Sequence, residues 1–182
     1  AYEYSRKAPS TLRPRKNINI MLCSIEMRRD RPFAEASDTI STAFVRDVKE
    51  WSKIAGDIIV WDYVIQFPNL ISPFPNLHVL QPNLRFFAEN GVTAMFEQGN
   101  REVGGEFAEL RTYLISKLLW DPYQNVDTLM NDFLTGYYRK AGKPIRQYID
   151  EMREASVASD KPLGIFGSPN KATESYLAWP LI

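Results

Sequence analysis

Carboxylates and aromatic rings recur at the C-terminal ends of the apolar runs that we predict to be strands. The four clusters are Tyr2-Glu3-Tyr4, Ser24 with Glu26, Trp61-Asp62-Tyr63 and Phe96-Glu97-Gln98. A carboxylate hydrogen-bonds hydroxyl groups or transfers protons, and an aromatic ring offers an apolar face and, in Tyr and Trp, a polar handle. Because the C-terminal ends of parallel strands meet at one edge, we expect these side chains to form a common site there. Side chains of these types suit a carbohydrate.

Three carboxylates are the candidate catalytic residues: Asp62, Glu97 and Glu26. The predicted substrate-binding residues are Tyr4, Trp61, Asp62, Tyr63, Glu97 and Gln98. We predict no metal site and no cofactor. A single cysteine, Cys23, and a single histidine, His78, argue against a ligand set rich in either residue.

Each candidate also has a structural alternative. Glu97 could accept hydrogen bonds within the turn that follows it. Asp62 could form a buried ion pair with an arginine, and Glu26 could pair with an arginine of the charged segment 28–31. Trp61 could belong to the core instead of forming a platform for a ring. The sequence leaves these alternatives open.

The elements that position these residues alternate between strand and helix. Strands are predicted near 1–5, 17–26, 57–67 and 91–98. The continuous apolar run Ile58–Trp61 indicates a strand that is buried on both faces, and therefore a parallel sheet. Apolar residues at helical spacing predict helices over 41–55, 83–90 and 107–120. Three Pro-Asn-Leu repeats predict an ordered loop over 68–82, with His78 as a turn residue.

Residues 1–122 are therefore predicted to form βα units, and residues 123–182 a helical extension with a Pro/Gly-rich tail. Four parallel strands do not close a barrel of this class, which needs eight. Two α/β architectures remain: an open, doubly wound sheet, or the C-terminal half of a (β/α)8 barrel. The chain starts with Ala-Tyr-Glu-Tyr, within a predicted strand and without an initiator Met. We interpret this start as a cut, so the localisation stays open.

The composition bounds the classes of partner. The 182 residues include 22 Lys plus Arg and 22 Asp plus Glu, so no overall field attracts nucleic acid or an anionic membrane. No apolar run approaches the roughly 18 to 20 residues of a membrane helix. No nucleic acid partner and no membrane span are therefore predicted. The predicted partner is the saccharide that the strand-end side chains indicate.

Several motifs resemble one bacterial family of glycoside-hydrolase-like proteins, which is carried as a domain of unknown function. These motifs are Trp61-Asp62-Tyr63, the Pro-Asn loop up to Asn83-Leu84-Arg85-Phe86, Phe96-Glu97-Gln98-Gly99, Leu118-Leu119-Trp120-Asp121-Pro122, Phe133-Leu134 and Gly136-Tyr137-Tyr138. The resemblance covers essentially the whole chain, and the Leu-Leu-Trp-Asp-Pro stretch is its most specific part. The family is similar in architecture to the hexosaminidase and α-glucuronidase barrels.

The resemblance implies that the chain is the C-terminal half of a (β/α)8 barrel, strands five to eight, followed by the start of a helical extension. In hexosaminidase-like barrels the last two strands grip the sugar at the cleaved bond, which implies such roles for Asp62, Tyr63 and Glu97. The catalytic acid of those relatives follows strand four, which implies a carboxylate upstream of Ala1. Here Met95-Phe96-Glu97 replaces the Trp-any-Glu motif that is frequent on a hexosaminidase last strand, so the sugar class stays open. The resemblance also implies a secreted, periplasmic or cell-surface protein.

Three hypotheses follow. The first is a glycoside-hydrolase-like fragment that binds a saccharide at the strand ends and is inactive by itself. The second is a noncatalytic carbohydrate-binding or scaffolding protein on a barrel relic. The third is a self-contained α/β domain of unrelated function. Under the first two, open sheet edges predict pairing with the missing N-terminal half of the barrel or with a second copy of the chain.

Overall fold

Helices and strands alternate along the chain in a computed structural model that describes residues 1–100 and 104–167, apart from the side chain of Glu3. The helices are α1 (Glu3–Arg6), α2 (Thr39–Trp51), α3 (Leu77–Glu89), α4 (Ala108–Trp120), α5 (Val126–Phe133) and α6 (Gly142–Ser159). The strands are β1 (Asn19–Cys23), β2 (Asp57–Tyr63) and β3 (Val92–Gln98). A π-helical turn, Leu134–Tyr138, and a 3-10 turn, Arg139–Ala141, connect α5 to α6.

The three described strands form one parallel sheet in the order β1-β2-β3. The predicted parallel α/β class is therefore confirmed, with three described strands in place of the predicted four, while a barrel origin remains a prediction. All three strands are shorter than the predicted ranges. In the register, Cys23 lies beside Trp61, and Asp62 lies beside Glu97. This register brings the predicted site residues of β2 and β3 to the same height.

The predicted strand near 1–5 is wrong, because residues 3–6 form the short helix α1. The Ser5 hydroxyl accepts a hydrogen bond from the Tyr2 amide at 3.2 Å and donates one to the Tyr2 carbonyl at 2.9 Å. Such local bonds between side chain and backbone compete with strand pairing. Ala1, which precedes this helix, bonds to the backbone of β1 through the carbonyl of Met21 and the amide of Cys23.

The predicted proline loop is also partly wrong, because α3 begins at Leu77 and contains Pro82 in its interior. A proline inside a helix removes one backbone hydrogen bond and destabilises it by about 3 kcal/mol. Leu80, Leu84 and Phe87 are buried on the inner face of the same helix. Burial of each such side chain contributes about 1.5–3 kcal/mol, which outweighs the proline.

The two faces of the sheet have different surroundings. One face packs against α2 and α3, where Phe33, Phe44 and Phe87 meet edge to face with ring centroids 5.7–6.2 Å apart. We call this side the helix face. The opposite side, the open face, exposes Met21 (40%) and Phe96 (49%), although its C-terminal end packs against the segment 163–165.

The helices after β3 share one core with α3. Leu84 of α3, Leu114 of α4, Met130 of α5 and Ile149 of α6 belong to the same buried cluster. The helical extension predicted after residue 122 is thus packed against α3 and α4 as far as it is described. The predicted Pro/Gly-rich tail lies largely outside the described residues. Within the described part, no helix combines the length and apolar character that crossing a bilayer would require.

Candidate functional site

Strand alternation divides the predicted site residues between the two faces of the sheet. Successive side chains of a strand point to opposite sides. Ser24, Asp62 and Glu97 therefore share the helix face with the core residues of β1 and β2. Trp61 and its neighbours on the open face form a separate group. The structure thus brings the two central carboxylates together, but behind the aromatic rings.

Asp62 belongs to a buried charge cluster that also contains Ser24, Arg29 and Glu97, which we call the Arg29 cluster. Arg29 and Asp62 are only 1% and 2% exposed, and Nη2 of Arg29 lies 3.4 Å from Oδ1 of Asp62. The same Asp62 oxygen accepts hydrogen bonds from the Ser24 hydroxyl and, at 2.8 Å, from the Tyr63 amide. The structural alternative for Asp62, a buried ion pair with an arginine, is therefore present.

The Arg29 side chain contacts Ser24, Phe33 and Asp62. Its Nη2 donates to the Ser24 carbonyl at 2.6 Å and contacts the Ser24 hydroxyl at 3.0 Å. Its guanidinium carbon lies 5.1 Å from the centre of the Phe33 ring, which is a cation–π distance. Burial lowers the pKa of Arg29, and the negative charges of Asp62 and Glu97 oppose that effect. Arginine nevertheless stays charged at any physiological pH.

Glu97 is the least satisfied member of the Arg29 cluster. Its Oε2 is buried and has no hydrogen-bond partner among the described residues, and the same is true of Nε and Nη1 of Arg29. Burial, and then the charge of Asp62, raise the pKa of Glu97 well above its usual value, while Arg29 acts in the opposite direction. Glu97 is therefore a carboxyl group that retains its proton to a higher pH than an exposed glutamate does.

Glu26 lies apart from this cluster, in an ion pair with Arg6. Its Oε2 is 2.8 Å from Nη1 of Arg6, and Nε of the same arginine donates to Asp47 at 3.0 Å. Arg6 thus links the chain after β1 to helix α2. Pairing of Glu26 with an arginine of the segment 28–31 was the alternative considered. Arg28 and Arg31 pair with Asp30, and Glu26 pairs with Arg6.

The open face carries the aromatic cluster, which consists of Trp61, Tyr63, Phe96 and Gln98. The Trp61 and Tyr63 rings are stacked with centroids 6.0 Å apart, and the Phe96 ring stands perpendicular to Trp61 at 5.0 Å. The indole N–H of Trp61 donates to Oε1 of Gln98 at 2.9 Å. Phe96 leaves about half of its surface, 49%, exposed to solvent.

Tyr63 is anchored by a tyrosine that the sequence did not single out for binding. Its hydroxyl lies 2.8 Å from the hydroxyl of Tyr2, and only 3% of Tyr63 is exposed. Burial and this bond raise the pKa of Tyr63, so its phenol stays protonated. The predicted binding residue Tyr4 is instead 96% exposed on α1, away from its predicted strand position.

No grouping of three or more His, Cys, Asp or Glu side chains suited to a metal ion occurs in 1–100 and 104–167.

In a comparison with protein families, the model described as Domain of unknown function (DUF4838) matches residues 1–150. The chain belongs to this family. No curated protein and no solved structure gives a significant match. The likeness to glycoside hydrolases therefore stays a hypothesis.

This DUF4838 domain thus presents two different chemistries at the C-terminal end of its sheet. The aromatic cluster offers ring surfaces and an amide whose two N–H donors are not used by Trp61. The Arg29 cluster offers a buried carboxyl group, Glu97, beside a buried ion pair. Sequence reasoning did not single out Arg29, and it named Tyr2 and Phe96 only as members of the strand-end clusters, without a binding role. Ser24 follows β1 two positions after the buried Leu22 and so lies on the same side of the sheet, which was the available signal for a contact between Ser24 and Asp62.

Proposed function

We propose that this DUF4838 chain is a carbohydrate-active, glycoside-hydrolase-like domain that binds a saccharide at the C-terminal end of its sheet. The supporting observation is the arrangement of Trp61 and Phe96, perpendicular at 5.0 Å, with the Gln98 amide beside them. A sugar ring has an apolar face, which packs on an aromatic ring, and hydroxyls, which accept hydrogen bonds from an amide. Trp61, Phe96 and Gln98 contact the ligand in this proposal, and the buried Tyr63 supports the Trp61 ring on which it stacks.

The positions of the carboxylates favour binding without hydrolysis by the described residues. Asp62 is ion-paired with Arg29, and Glu26 with Arg6. Glu97 lies on the helix face, behind the aromatic cluster. A glycosidase of the common type needs two carboxyl groups that flank the scissile bond. Hydrolysis in this proposal therefore requires carboxylates from outside the described residues, and the noncatalytic reading is the second candidate function.

The saccharide proposal is tested by the substitution Trp61→Ala, with Trp120→Ala as the matched control. Trp120 is the last residue of α4, is 90% exposed and does not belong to the aromatic cluster. A glycan array first identifies a bound saccharide, and calorimetry then measures its affinity. We expect Trp61→Ala to weaken binding about tenfold, equivalent to about 1.4 kcal/mol, and Trp120→Ala to leave it unchanged.

Three outcomes contradict the saccharide site or one of its two readings. Equal affinities for the two variants, in folded protein, contradict the saccharide site on the aromatic cluster. Release of reducing sugar from the bound saccharide by the 182-residue chain contradicts the noncatalytic reading. A glycan array without any bound saccharide contradicts both.

We further propose that the open face is an interface, covered by the rest of a barrel or by a second copy of the chain. Met21 is 40% exposed on β1, below the level of the aromatic cluster, and Phe96 is 49% exposed on β3. Edge strands with unpaired backbone groups readily pair with another chain. An apolar surface of this kind is typical of an interaction site.

The interface proposal predicts that the isolated chain self-associates in sedimentation velocity. Met21→Lys places a charge on the open face and is expected to abolish association. Ile40→Lys is the matched control, since Ile40 is similarly exposed (48%) but lies on α2. A wild-type chain that remains monomeric at about 100 μM, where contacts of about 5 kcal/mol or more give association, contradicts coverage by a second copy of the chain.

A further inference from the structure

A second concave site lies among the helices, away from the aromatic cluster. It has a volume of about 180 Å³ and is enclosed by the chain on either side of the α3 start, the turn before α4, and helices α5 and α6. We call it the helical pocket. Its walls include Pro75, Leu77, Phe107, Val126, Met130 and Ile149. It shares no lining residue with the aromatic cluster or the Arg29 cluster, so the function proposed above does not involve it.

Two aromatic rings line the helical pocket. Phe107 and Tyr148 have ring centroids 6.2 Å apart and are tilted by 53°. Phe107 precedes α4 with φ at 46°, in the left-handed region that bulky side chains rarely adopt. Residues in such conformations cluster at active sites and ligand-binding sites, where the surrounding structure holds them in place. The strained backbone at Phe107 places its ring in the wall of the pocket.

The polar groups of the pocket have defined hydrogen-bond and ion-pair partners. Nε2 of His78 lies 3.0 Å from the Asp30 carbonyl oxygen, which can only accept, so this nitrogen carries the proton. In the neutral ring Nδ1 is then an acceptor, and burial lowers the pKa of His78, which favours that neutral form. At the rim, Arg146 bridges Asp127 at 2.7 Å and Asp150 at 2.9 Å.

The charges around the pocket cancel. Arg146 and Arg153 contact the aspartates of the rim, and the third acid, Glu106, pairs with the buried Arg111 at 2.5 Å. Among the described residues, a charged ligand would meet no unpaired opposite charge there. The pocket is also smaller than the roughly 300–1,000 Å³ of sites for drug-sized molecules. Its occupant is therefore neutral and about the size of one ring.

We propose that the helical pocket binds a single uncharged, hydroxyl-bearing ring, that is, one neutral sugar residue. The apolar face of the ring packs against Phe107 and Tyr148. Its hydroxyl groups donate to the rim carboxylates of Asp127 and Asp150 and to His78, and accept from Arg146. Rings for the apolar face and paired acceptors and donors for the hydroxyls are the two requirements of such a ligand.

The test uses the methyl glycosides of glucose, galactose, mannose and N-acetylglucosamine, titrated into the 15N-labelled chain. We expect amide shifts on α6 and at Phe107 for at least one glycoside, with a Kd in the millimolar range. Phe107→Gly removes the ring, and glycine accepts the left-handed backbone without strain, which offsets part of the packing lost against the helical core; the 15N spectrum checks that the variant is folded. Val126→Trp fills the pocket from a partly exposed position. We expect both variants to weaken binding at least about fivefold.

Trp61→Ala separates this proposal from the saccharide site on the sheet. Because Trp61 is not in contact with the helical pocket, the shifts on α6 are expected to persist in this variant. The proposal is overturned if no glycoside shifts the α6 amides at about 50 mM, a concentration that detects even very weak binding. It is equally overturned if Phe107→Gly and Val126→Trp bind as wild type does, or if Trp61→Ala abolishes the α6 shifts.

Discussion

Replacement of Arg29 by methionine is expected to lower the free energy of unfolding by about 3–5 kcal/mol, which is typical when one partner of a buried ion pair is removed. Arg29 is 1% exposed, and it is the cation nearest to two buried carboxyl groups, Asp62 and Glu97. Without it, both acids remain in a poorly solvated site with no compensating charge. Methionine retains much of the side-chain volume, so the loss reports on charge and hydrogen bonds. Urea denaturation followed by fluorescence measures the change.

Arg46→Met is the matched control for this prediction. Arg46 also pairs with a buried aspartate, Asp47, at 3.1 Å, but its own side chain is 53% exposed. Exposed ion pairs contribute about 0–1 kcal/mol, and Asp47 retains its second partner, Arg6. If Arg29→Met is no more destabilising than Arg46→Met, the Arg29 cluster is not an energetic centre of the fold. Adding Asp62→Asn and Glu97→Gln to Arg29→Met is expected to restore part of the lost stability.

Glu97→Gln is expected to increase stability at neutral and higher pH and to flatten its pH dependence. Burial and the charge of Asp62 raise the pKa of Glu97 in the folded chain above its unfolded value. The folded state therefore binds the Glu97 proton more tightly than the unfolded state. The stability from this group is fully present below the unfolded pKa and is lost as the pH rises through the folded pKa. The loss is about 1.4 kcal/mol for each pH unit in that window.

Urea denaturation from about pH 4 to about pH 8 measures this effect through the difference between wild type and variant. The two are expected to be similar at the acidic end, because the neutral amide resembles a protonated carboxyl. They should diverge as the pH increases, with Glu97→Gln the more stable. The exposed Glu89→Gln is the control and is expected to follow wild type throughout. A Glu97→Gln curve that stays parallel to wild type, or lies below it at the alkaline end, contradicts the electrostatic account.

The Glu97 result also bears on the proposed function. A buried carboxyl oxygen without a described partner lowers stability, and such groups are frequent at functional sites. The sheet places this carboxyl behind the aromatic cluster. If Glu97→Gln stabilises the chain, then Glu97 lowers the free energy of unfolding of the wild type. Packing alone then does not explain why a glutamate occupies this position.

Much of the fold was predictable because it depends on local patterns. The apolar run Ile58–Trp61 indicated a parallel strand, and helical spacing indicated α2, α4 and the helices after residue 122. The carboxylates Asp62 and Glu97 were predicted to meet, and the register places them side by side. The predictions were wrong in two places, one where tertiary packing and one where a local side-chain hydrogen bond overrode the pattern. Buried leucines keep Pro82 inside α3, and the Ser5 hydroxyl closes a helical turn in place of a strand.

The sequence by itself determined most of the elements, α1 and the start of α3 excepted, and which polar residues end the strands, since both depend on the order of side chains along the chain. Only the tertiary structure decided which face of the sheet the helices cover, and therefore that Asp62 and Glu97 lie with Arg29 behind the rings of Trp61 and Phe96. It also decided that Glu26 pairs with Arg6, 20 positions away. The physical reason is that burial and ion pairing depend on which distant segments pack together, and no local pattern specifies that.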